Sequence, residues 1–301
     1  MTKVVRLGTP DFDPASRQPG TKFPLDGYDI TKVPDETLIE LFNTAPLLHS
    51  YQGTRIVRLS STLVLKGGEL ARPCEADIMK LVRAKTTIPV PKVHRVLNIK
   101  TQDTFFGCQC YIVMDFIEGD TLQDLWEALS QAQREDVVSQ VASMFLALQS
   151  AEVPQQQPGP VDCQLCKAKG YWFSDIGGGP FKDIAAMQAW FNRKLEICQH
   201  FKQVTDTVPP FCFDRLILTH QDIALRNLIL DPQGKVWLVD WGDAGIYPEG
   251  FEYAALAARR WTAVEFTDML FERIPRHPEM EWQLSQITYA LTTGQWIDFE
   301  W

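Results

Sequence analysis

The first 118 residues alternate between short apolar runs and turn residues, a pattern that is typical of a β-rich region. Residues 54–59 (TRIVRL) and 62–66 (TLVLK) are β-branched runs separated by two serines, and they predict an antiparallel pair of strands. Two more apolar runs cover 92–97 and 108–116. Before these two runs, apolar residues after Pro73 recur at i, i+4, i+7 and i+8, which predicts one prominent helix that ends before Pro89.

Beyond residue 118 the spacing of apolar residues becomes mainly helical. A capping-box spacing at Thr121 begins one helix, a second follows through the 130s and 140s, and others are predicted over 181–203 and 250–292. The stretch 216–245 is different, because its apolar runs are short and separated by polar turns. It predicts two short strands within a helical region.

Composition narrows the function classes. Hydrophobic residues make up 45% of the 301-residue chain, which excludes a disordered protein. A formal net charge of −9 disfavours nucleic acid as a partner. No apolar run approaches the roughly 18 residues of a membrane helix, and the N-terminus lacks an apolar signal core. We therefore expect a soluble, cytoplasmic protein without a membrane partner.

The seven cysteines are odd in number and scattered, so no disulfide framework is expected. Cys163 and Cys166 form a C-x-x-C pair, but no second pair follows at zinc-finger spacing. A metal or redox role and ordinary reduced thiols are both compatible with this pattern, and we favour reduced thiols.

One constellation of polar residues has the composition that phosphoryl transfer requires. Such chemistry uses a carboxylate to orient the attacking hydroxyl and accept its proton, an amide and a second carboxylate to hold Mg²⁺, and a lysine on the nucleotide phosphates. The chain supplies all four in Asp222, Asn227, Asp240 and Lys66. Asp222 and Asn227 are five residues apart on one loop, which predicts a shared site.

With these residues the chain resembles the aminoglycoside phosphotransferase and choline kinase-like family, which shares the protein-kinase fold. The matching features are HxDxxxxN from His220, an aspartate 18 residues after Asp222, and a VLK lysine upstream. The segments IPVPKV and VDWGDAGIYPEGFEYA are similar to the fungal branch, and the resemblance covers about residues 45–290.

The resemblance implies an α+β, bilobal fold, with a small antiparallel sheet and one helix in the first lobe and a larger, mainly α-helical second lobe. We expect an N-terminal arm and short helix over 1–44, a nucleotide-binding lobe over 45–118, and a lobe with the catalytic loop, metal and acceptor site over 119–301.

The resemblance also implies roles for single residues, with ATP and Mg²⁺ as cofactors. Asp222 would be the catalytic base or hydroxyl-orienting carboxylate, His220 would hold its loop, and Asn227 and Asp240 would bind Mg²⁺. Lys66 would contact the α- and β-phosphates of ATP, held by Glu75 of the following helix, with Glu69 as the second choice. The interlobe hinge, residues 113–117, would meet the adenine edge at Met114, Asp115 and Phe116.

The sequence departs from protein kinases in ways that count against a protein substrate. No G-x-G-x-x-G precedes Lys66, Asp240 is followed by Trp-Gly, and no A-P-E triplet follows. Gln221 lies where relatives commonly carry glycine, and residues 223–226 replace the frequent Leu-His-Pro-Arg, so we expect altered loop packing with catalysis retained. Asp243 is either an assistant to the metal or a loop residue.

The leading hypothesis is an ATP- and Mg²⁺-dependent kinase acting on a hydroxyl of a small molecule. The alternatives are a nucleotide-binding pseudokinase scaffold and ATP-dependent carboxylate activation by phosphoryl or adenylyl transfer. The acceptor site is expected among residues 163–195 and the helices after Asp240. Carboxylates and aromatic rings cluster in sequence there, and such side chains suit an amine or cationic metabolite as acceptor. The same spacing is also typical of a helical core, which is the interpretation that we favour. The residues in question are Trp241, Tyr247, Glu249, Glu252 and Trp261.

Overall fold

The computed structural model describes residues 12–18, 20–51, 53–68, 71–100, 108–153, 157–161 and 166–297. The chain divides into two compact units. One comprises Met1–Lys80 with Pro91–Glu118, and the other comprises Leu81–Val90 with Gly119–Trp301.

The first unit is built on a five-stranded antiparallel sheet in the order β1-β2-β3-β5-β4. The strands are β1 (Leu47–Tyr51), β2 (Thr54–Arg58), β3 (Leu63–Gly68), β4 (Val93–Lys100) and β5 (Cys108–Asp115). Helix α1 (Asp35–Thr44) packs its buried Leu38 and Phe42 against a cluster that includes Val57, Leu65 and Val113. The core of this unit is therefore formed between α1 and the sheet.

The predicted antiparallel pair is confirmed by β2 and β3, and the apolar runs that follow are β4 and β5. Helix α2 (Pro73–Lys85) begins at the predicted proline, because proline fits the first turn of a helix, where backbone N–H groups have no intrahelical partner. Strand β1 was not predicted. It pairs with β2 directly after Pro46.

The second unit is mainly helical, as the sequence predicts. A capping box at Ser130, in which Ser130 and Gln133 satisfy each other's backbone N–H groups, starts the longest helix of the described residues. The helices are α3 (Leu122–Leu125), α4 (Gln131–Ser150), α5 (Ile184–His200), α6 (Phe251–Ala258), α7 (Val264–Phe271), α8 (Pro278–Gln286) and α9 (Thr288–Leu291).

Two small sheets lie within this helical unit. Strand β7 (Leu216–Thr219) pairs with β10 (Gly245–Pro248), and β8 (Leu228–Leu230) lies between β6 (Asp120–Thr121) and β9 (Val236–Leu238). The hairpin of β8 and β9 matches the two predicted short strands, whereas β10 was not predicted. Together these sheets fix both ends of residues 220–227, which we call the Asp222 loop.

Two further sequence expectations concern membranes and thiols. No helix among the described residues has the length and hydropathy to cross a bilayer. The expectation of reduced thiols is wrong for Cys166, which is disulfide-bonded. Cys163 itself lies outside the described residues.

Candidate active site

In the sheet unit, Lys66 and Glu75 form a buried ion pair. Lys66 lies on β3 between Ile56 of β2 and Ile112 of β5, and Glu75 lies in the first turn of α2. The distance from Nζ to Oε1 is 2.6 Å, and the two side chains are 6% and 2% exposed. Such a pair is costly to break, because removing one of two opposite buried charges destabilises the other. Glu69, the second choice of partner, lies outside the described residues.

The predicted adenine-binding residues lie at the end of β5, beside the strand that carries Lys66. The register pairs Met114 with Val64 of β3. The backbone N–H of Asp115 donates to the carbonyl of Lys92, and that of Phe116 donates to the carbonyl of Thr62. The Asp115 carboxylate accepts from the Lys92 amide and lies 2.7 Å from His94 Nε2. These two N–H groups are thus already engaged within the protein.

In the helical unit, the β8–β9 hairpin brings Asn227 close to Asp240 along the backbone. Leu228 pairs with Leu238, and the N–H of Val239 donates to the Asn227 carbonyl at 3.0 Å. Asp240 has φ 64°, a left-handed conformation that is uncommon outside glycine. The hairpin register thus places the amide and the second carboxylate at one end of the same two strands.

The oxygen atoms of Asn227 and Asp240 at this end of the β8–β9 hairpin are ligand types that fit Mg²⁺. Asn227 uses its Nδ2 to donate to the carbonyl and the carboxylate of Asp222, at 2.9 and 2.7 Å, which leaves Oδ1 as its possible ligand atom. Amide and carboxylate oxygens are the ligands that Mg²⁺ prefers, usually one or two from protein with the rest from water and phosphates. No group of three or more His, Cys, Asp or Glu side chains with metal-binding geometry occurs among the described residues. A site completed by nucleotide phosphates would not need one.

Asp222 lies between an amide and two guanidinium groups. Arg226, four residues further along the chain, donates to both carboxylate oxygens at 2.5 and 2.6 Å. Arg259 Nη2 lies 3.4 Å from Oδ1, and its side chain is only 19% exposed. The Asp222 side chain is 13% exposed, so its orientation is set by these neighbours.

His220 is buried and holds the start of the loop. Its Nε2 lies 3.1 Å from the Val239 carbonyl, and its Nδ1 accepts from the Asp222 N–H at 3.2 Å. Burial lowers the pKa of His220 from 6.5 to about 4, so the ring is neutral at pH 7. A neutral ring makes both bonds only with its hydrogen on Nε2, which assigns the tautomer.

Glu252, on α6, binds the same loop from the other side. Its carboxylate accepts from the N–H of His220 and, at 2.9 and 3.1 Å, from the N–H of Gln221. Desolvation raises the pKa of Glu252 from 4.5 to about 7, although these hydrogen bonds and Arg259 oppose the change. A side chain that is 2% exposed thus supplies the acceptors for two consecutive amides of the loop.

The residues that suggested a cationic acceptor do not form a common pocket. Trp241 and Tyr247 are fully buried, and Glu252 is occupied by the Asp222 loop. Glu249 pairs with Arg215 at 3.2 Å, and Trp261 is 78% exposed. The structure therefore agrees with the core interpretation for the two buried aromatics and gives the carboxylates other partners.

Sequence reasoning missed the contributions of Arg226, Arg259 and Glu252 to this site. Glu252 lies in the first turn of α6 and Arg259 directly follows its last residue, and both contact the Asp222 loop. Arg226 lies four residues after Asp222. The spacing of opposite charges at i+4 and i+7 is a sequence signal that could have identified all three.

Comparison with known proteins gives a family and a fold. The model of the phosphotransferase enzyme family matches residues 47–282. A comparison with curated protein sequences gives no significant match.

Solved structures similar to this chain are aminoglycoside phosphotransferases. A thermostable mutant of APH(4)-Ia, in a ternary complex with ADP and hygromycin B, has a TM-score of 0.55 at 20% identity and covers 85% of this chain and 88% of its own. APH(2")-IIa with streptomycin and ATP has a TM-score of 0.51 at 14% identity, and the match covers 85% of this chain and 86% of that protein. ADP-bound APH(2'')-Ib has a TM-score of 0.52 at 14% identity, covering 88% and 93%. At these identities the likeness concerns the fold, which is protein-kinase-like, as the sequence predicts.

Proposed function

The chain belongs to the phosphotransferase enzyme family and is a small-molecule kinase, and from this premise we propose that it transfers the γ-phosphoryl group of ATP to a hydroxyl of its acceptor with the help of Mg²⁺. The observation that carries the proposal is the arrangement around Asp222. A carboxylate held by Asn227 and Arg226, on a loop fixed at both ends, is suited to orienting one hydroxyl.

In this proposal Asp222 orients the acceptor hydroxyl and accepts its proton as the phosphoryl group leaves ATP. Its carboxylate is held by three side chains, so little reorganisation is needed before reaction. His220 and Glu252 support it indirectly, through the backbone amides at positions 220–222. The loop is therefore preorganised for positioning.

Asn227 Oδ1 and the Asp240 carboxylate would hold Mg²⁺, which neutralises phosphate charge when bound. Lys66, oriented by Glu75, would contact the nucleotide phosphates. The adenine edge would meet the chain near Met114–Phe116. Carbonyl groups of these residues could accept hydrogen bonds from adenine. Because the N–H groups of Asp115 and Phe116 already donate within the protein, any N–H donor to adenine would come from beyond Phe116. A cytoplasmic location and the fungal branch remain predictions.

The experiment measures ADP release from MgATP over a panel of hydroxyl-bearing compounds that begins with hygromycin B and streptomycin and pairs each cationic compound with a neutral one. Asp222→Asn is expected to lower turnover by about 10²-fold or more. The matched control is Asp231→Asn, which removes a carboxylate from the opposite end of the same hairpin and should retain wild-type turnover.

The result also separates the alternatives. Wild-type turnover in Asp222→Asn would refute the proposed role of Asp222. AMP in place of ADP would indicate adenylyl transfer, as in carboxylate activation. Stabilisation by MgATP without turnover for any compound of the panel would instead favour a nucleotide-binding scaffold.

A further inference from the structure

The side chain of Gln221 lies where three segments of the helical unit meet. It is fully buried, and its Nε2 donates to the carbonyl of Lys169 and to the carbonyl of Asp243, each at 3.0 Å. Lys169 lies in the stretch 166–180, called the 166–180 segment below. Asp243 lies three residues after the proposed metal ligand Asp240. One side-chain amide therefore connects both segments to the residue that precedes Asp222.

The backbone of Gln221 is fixed independently of its side chain. Its N–H donates to the Glu252 carboxylate, and its carbonyl accepts from Arg259 Nη1 at 2.6 Å. A glycine would keep both of these bonds. The side chain adds only the two bonds from Nε2.

Those two bonds come with two unfavourable features. Gln221 has φ 62°, in the left-handed region that glycine occupies without steric cost. Its Oε1 is buried and accepts no hydrogen bond from any described residue. Both features lower stability, and both lie directly beside the proposed catalytic carboxylate. Because strain of this kind is typically retained at functional sites, we infer that the Gln221 side chain has a role in function.

The 166–180 segment is shaped around this side chain. Gly170 has φ 126°, and a Cβ built on it would lie 2.6 Å from Gln221 Oε1. The next residue, Tyr171, is 43% exposed and lies under the Arg259 guanidinium, 4.9 Å from its ring centroid. Because Arg259 also approaches Asp222, the segment is connected to Asp222 by two routes, one through Gln221 and one through Tyr171 and Arg259.

We propose that Gln221 is a positioning residue for phosphoryl transfer: its amide holds the 166–180 segment in register with Asp222, so that the exposed face at Tyr171 forms the acceptor side of the site. This inference rests on the proposed function, because it takes Asp222 as the residue that orients the hydroxyl. Gln221 acts through its neighbours and does not contact the reacting atoms.

The test compares Gln221→Gly and Gln221→Met in the full chain. Glycine removes the amide and relieves the left-handed conformation, whereas methionine keeps the length of the side chain without the donors. The control is Gln140→Met, because Gln140 also joins two backbone groups, the Gly234 carbonyl and the Val236 N–H, but at the far end of the β8–β9 hairpin.

Two measurements need no identified acceptor: MgATP hydrolysis with water as acceptor, and amide hydrogen exchange. For a compound of the panel that the wild type phosphorylates, both Gln221 variants should lower kcat by about 10-fold or more with KM for ATP within about two-fold of wild type, whereas hydrolysis by water, which does not use the acceptor side, should change less. Exchange at the mutually bonded amides of Ala168 and Gly178 should accelerate by about 10-fold. In Gln221→Gly the midpoint of thermal unfolding should stay within about 3 °C, since lost bonds and relieved strain offset each other.

The inference is wrong if Gln221→Gly retains wild-type kcat, or if exchange at residues 168 and 178 is unchanged in both variants. Loss of turnover in Asp222→Asn together with normal Gln221 variants would leave the proposed function intact and overturn only the positioning role. If the wild type hydrolyses no ATP and phosphorylates no compound of the panel, the proposed function fails. The exchange measurement then still decides whether Gln221 holds the segment.

Discussion

The Glu252→Gln variant tests whether the buried carboxylate that binds the Asp222 loop makes the free energy of unfolding depend on pH. Burial raises the pKa of Glu252 to about 7, from 4.5 in an exposed chain. Between these values the native state holds a proton that the unfolded chain has released, so the stability contributed by this group is present below pH 4.5 and is lost as the pH rises through 7. The difference between 4.5 and about 7 corresponds to roughly 3 kcal/mol.

The assay is urea unfolding followed by tryptophan fluorescence at pH 5 and pH 8. All nine tryptophans of the sequence lie in the stretch from 126 to 301, so this signal reports on the unit that contains Glu252. At pH 5 the variant should be less stable than wild type. Its amide oxygen can replace Oε2 and accept from both backbone N–H groups, but its NH2 group then replaces Oε1 and faces the Gln221 N–H, a donor facing a donor. At pH 8 its relative stability should have improved by roughly 3 kcal/mol.

His220 makes the comparison between the two proteins necessary. Its pKa is lowered by burial to about 4, so its contribution to stability is lost as the pH falls from 6.5 towards 4, opposite in sign to that of Glu252. The His220 contribution is present in both proteins and cancels from their difference. Gln140→Met, which removes no titratable group, serves as the control. A Glu252→Gln difference that is equal at pH 5 and pH 8 would refute the reasoning.

Two further predictions concern the sheet unit and are measured by calorimetry. Lys66→Met should destabilise by about 3–5 kcal/mol because Glu75 stays buried without its lysine, whereas Lys66→Met combined with Glu75→Leu should lie closer to wild type; equal losses in the single and double variants would contradict this. Gly68→Ala should cost about 2 kcal/mol or more, since its φ is 122° and a Cβ would lie 2.1 Å from the Gly53 carbonyl. Gly27→Ala, also at positive φ but with nothing within 4 Å, is the control and should cost less.

The elements that could be predicted are those whose signals are local. Pro73 marks the start of α2, and the capping residues Thr121 and Ser130 precede α3 and α4. Strand β1 was missed although its partner β2 begins only two residues after it, because its residues LLHSY do not alternate apolar and polar positions. Strand β10 was missed because its pairing depends on a distant partner. The register of β10 is set by β7, with Gly245 opposite Thr219.

For the candidate site, sequence spacing predicted which residue types are present but not what holds them. Glu252 was grouped with an acceptor pocket, because a carboxylate near aromatic residues has the same pattern whether it faces a ligand or a backbone. In the structure it accepts from the N–H groups of His220 and Gln221. Such contacts span about 30 residues and depend on how α6 packs, which local patterns do not encode. The roles of Asp222, Asn227 and Asp240 remain predictions.

The attachment of the Asp222 loop to two sheets determines where insertions and deletions in the chain can be tolerated. Thr219 is the last residue of β7 and Leu228 the first of β8, and both strands have partners in fixed register, so one added or deleted codon between them would move Asp222 relative to Asn227. The turn Asp231–Gly234 at the other end of the hairpin is largely exposed. Insertions and reporter tags should therefore be tolerated at that turn and selected against in the loop, a contrast that a length-scanning library would make visible.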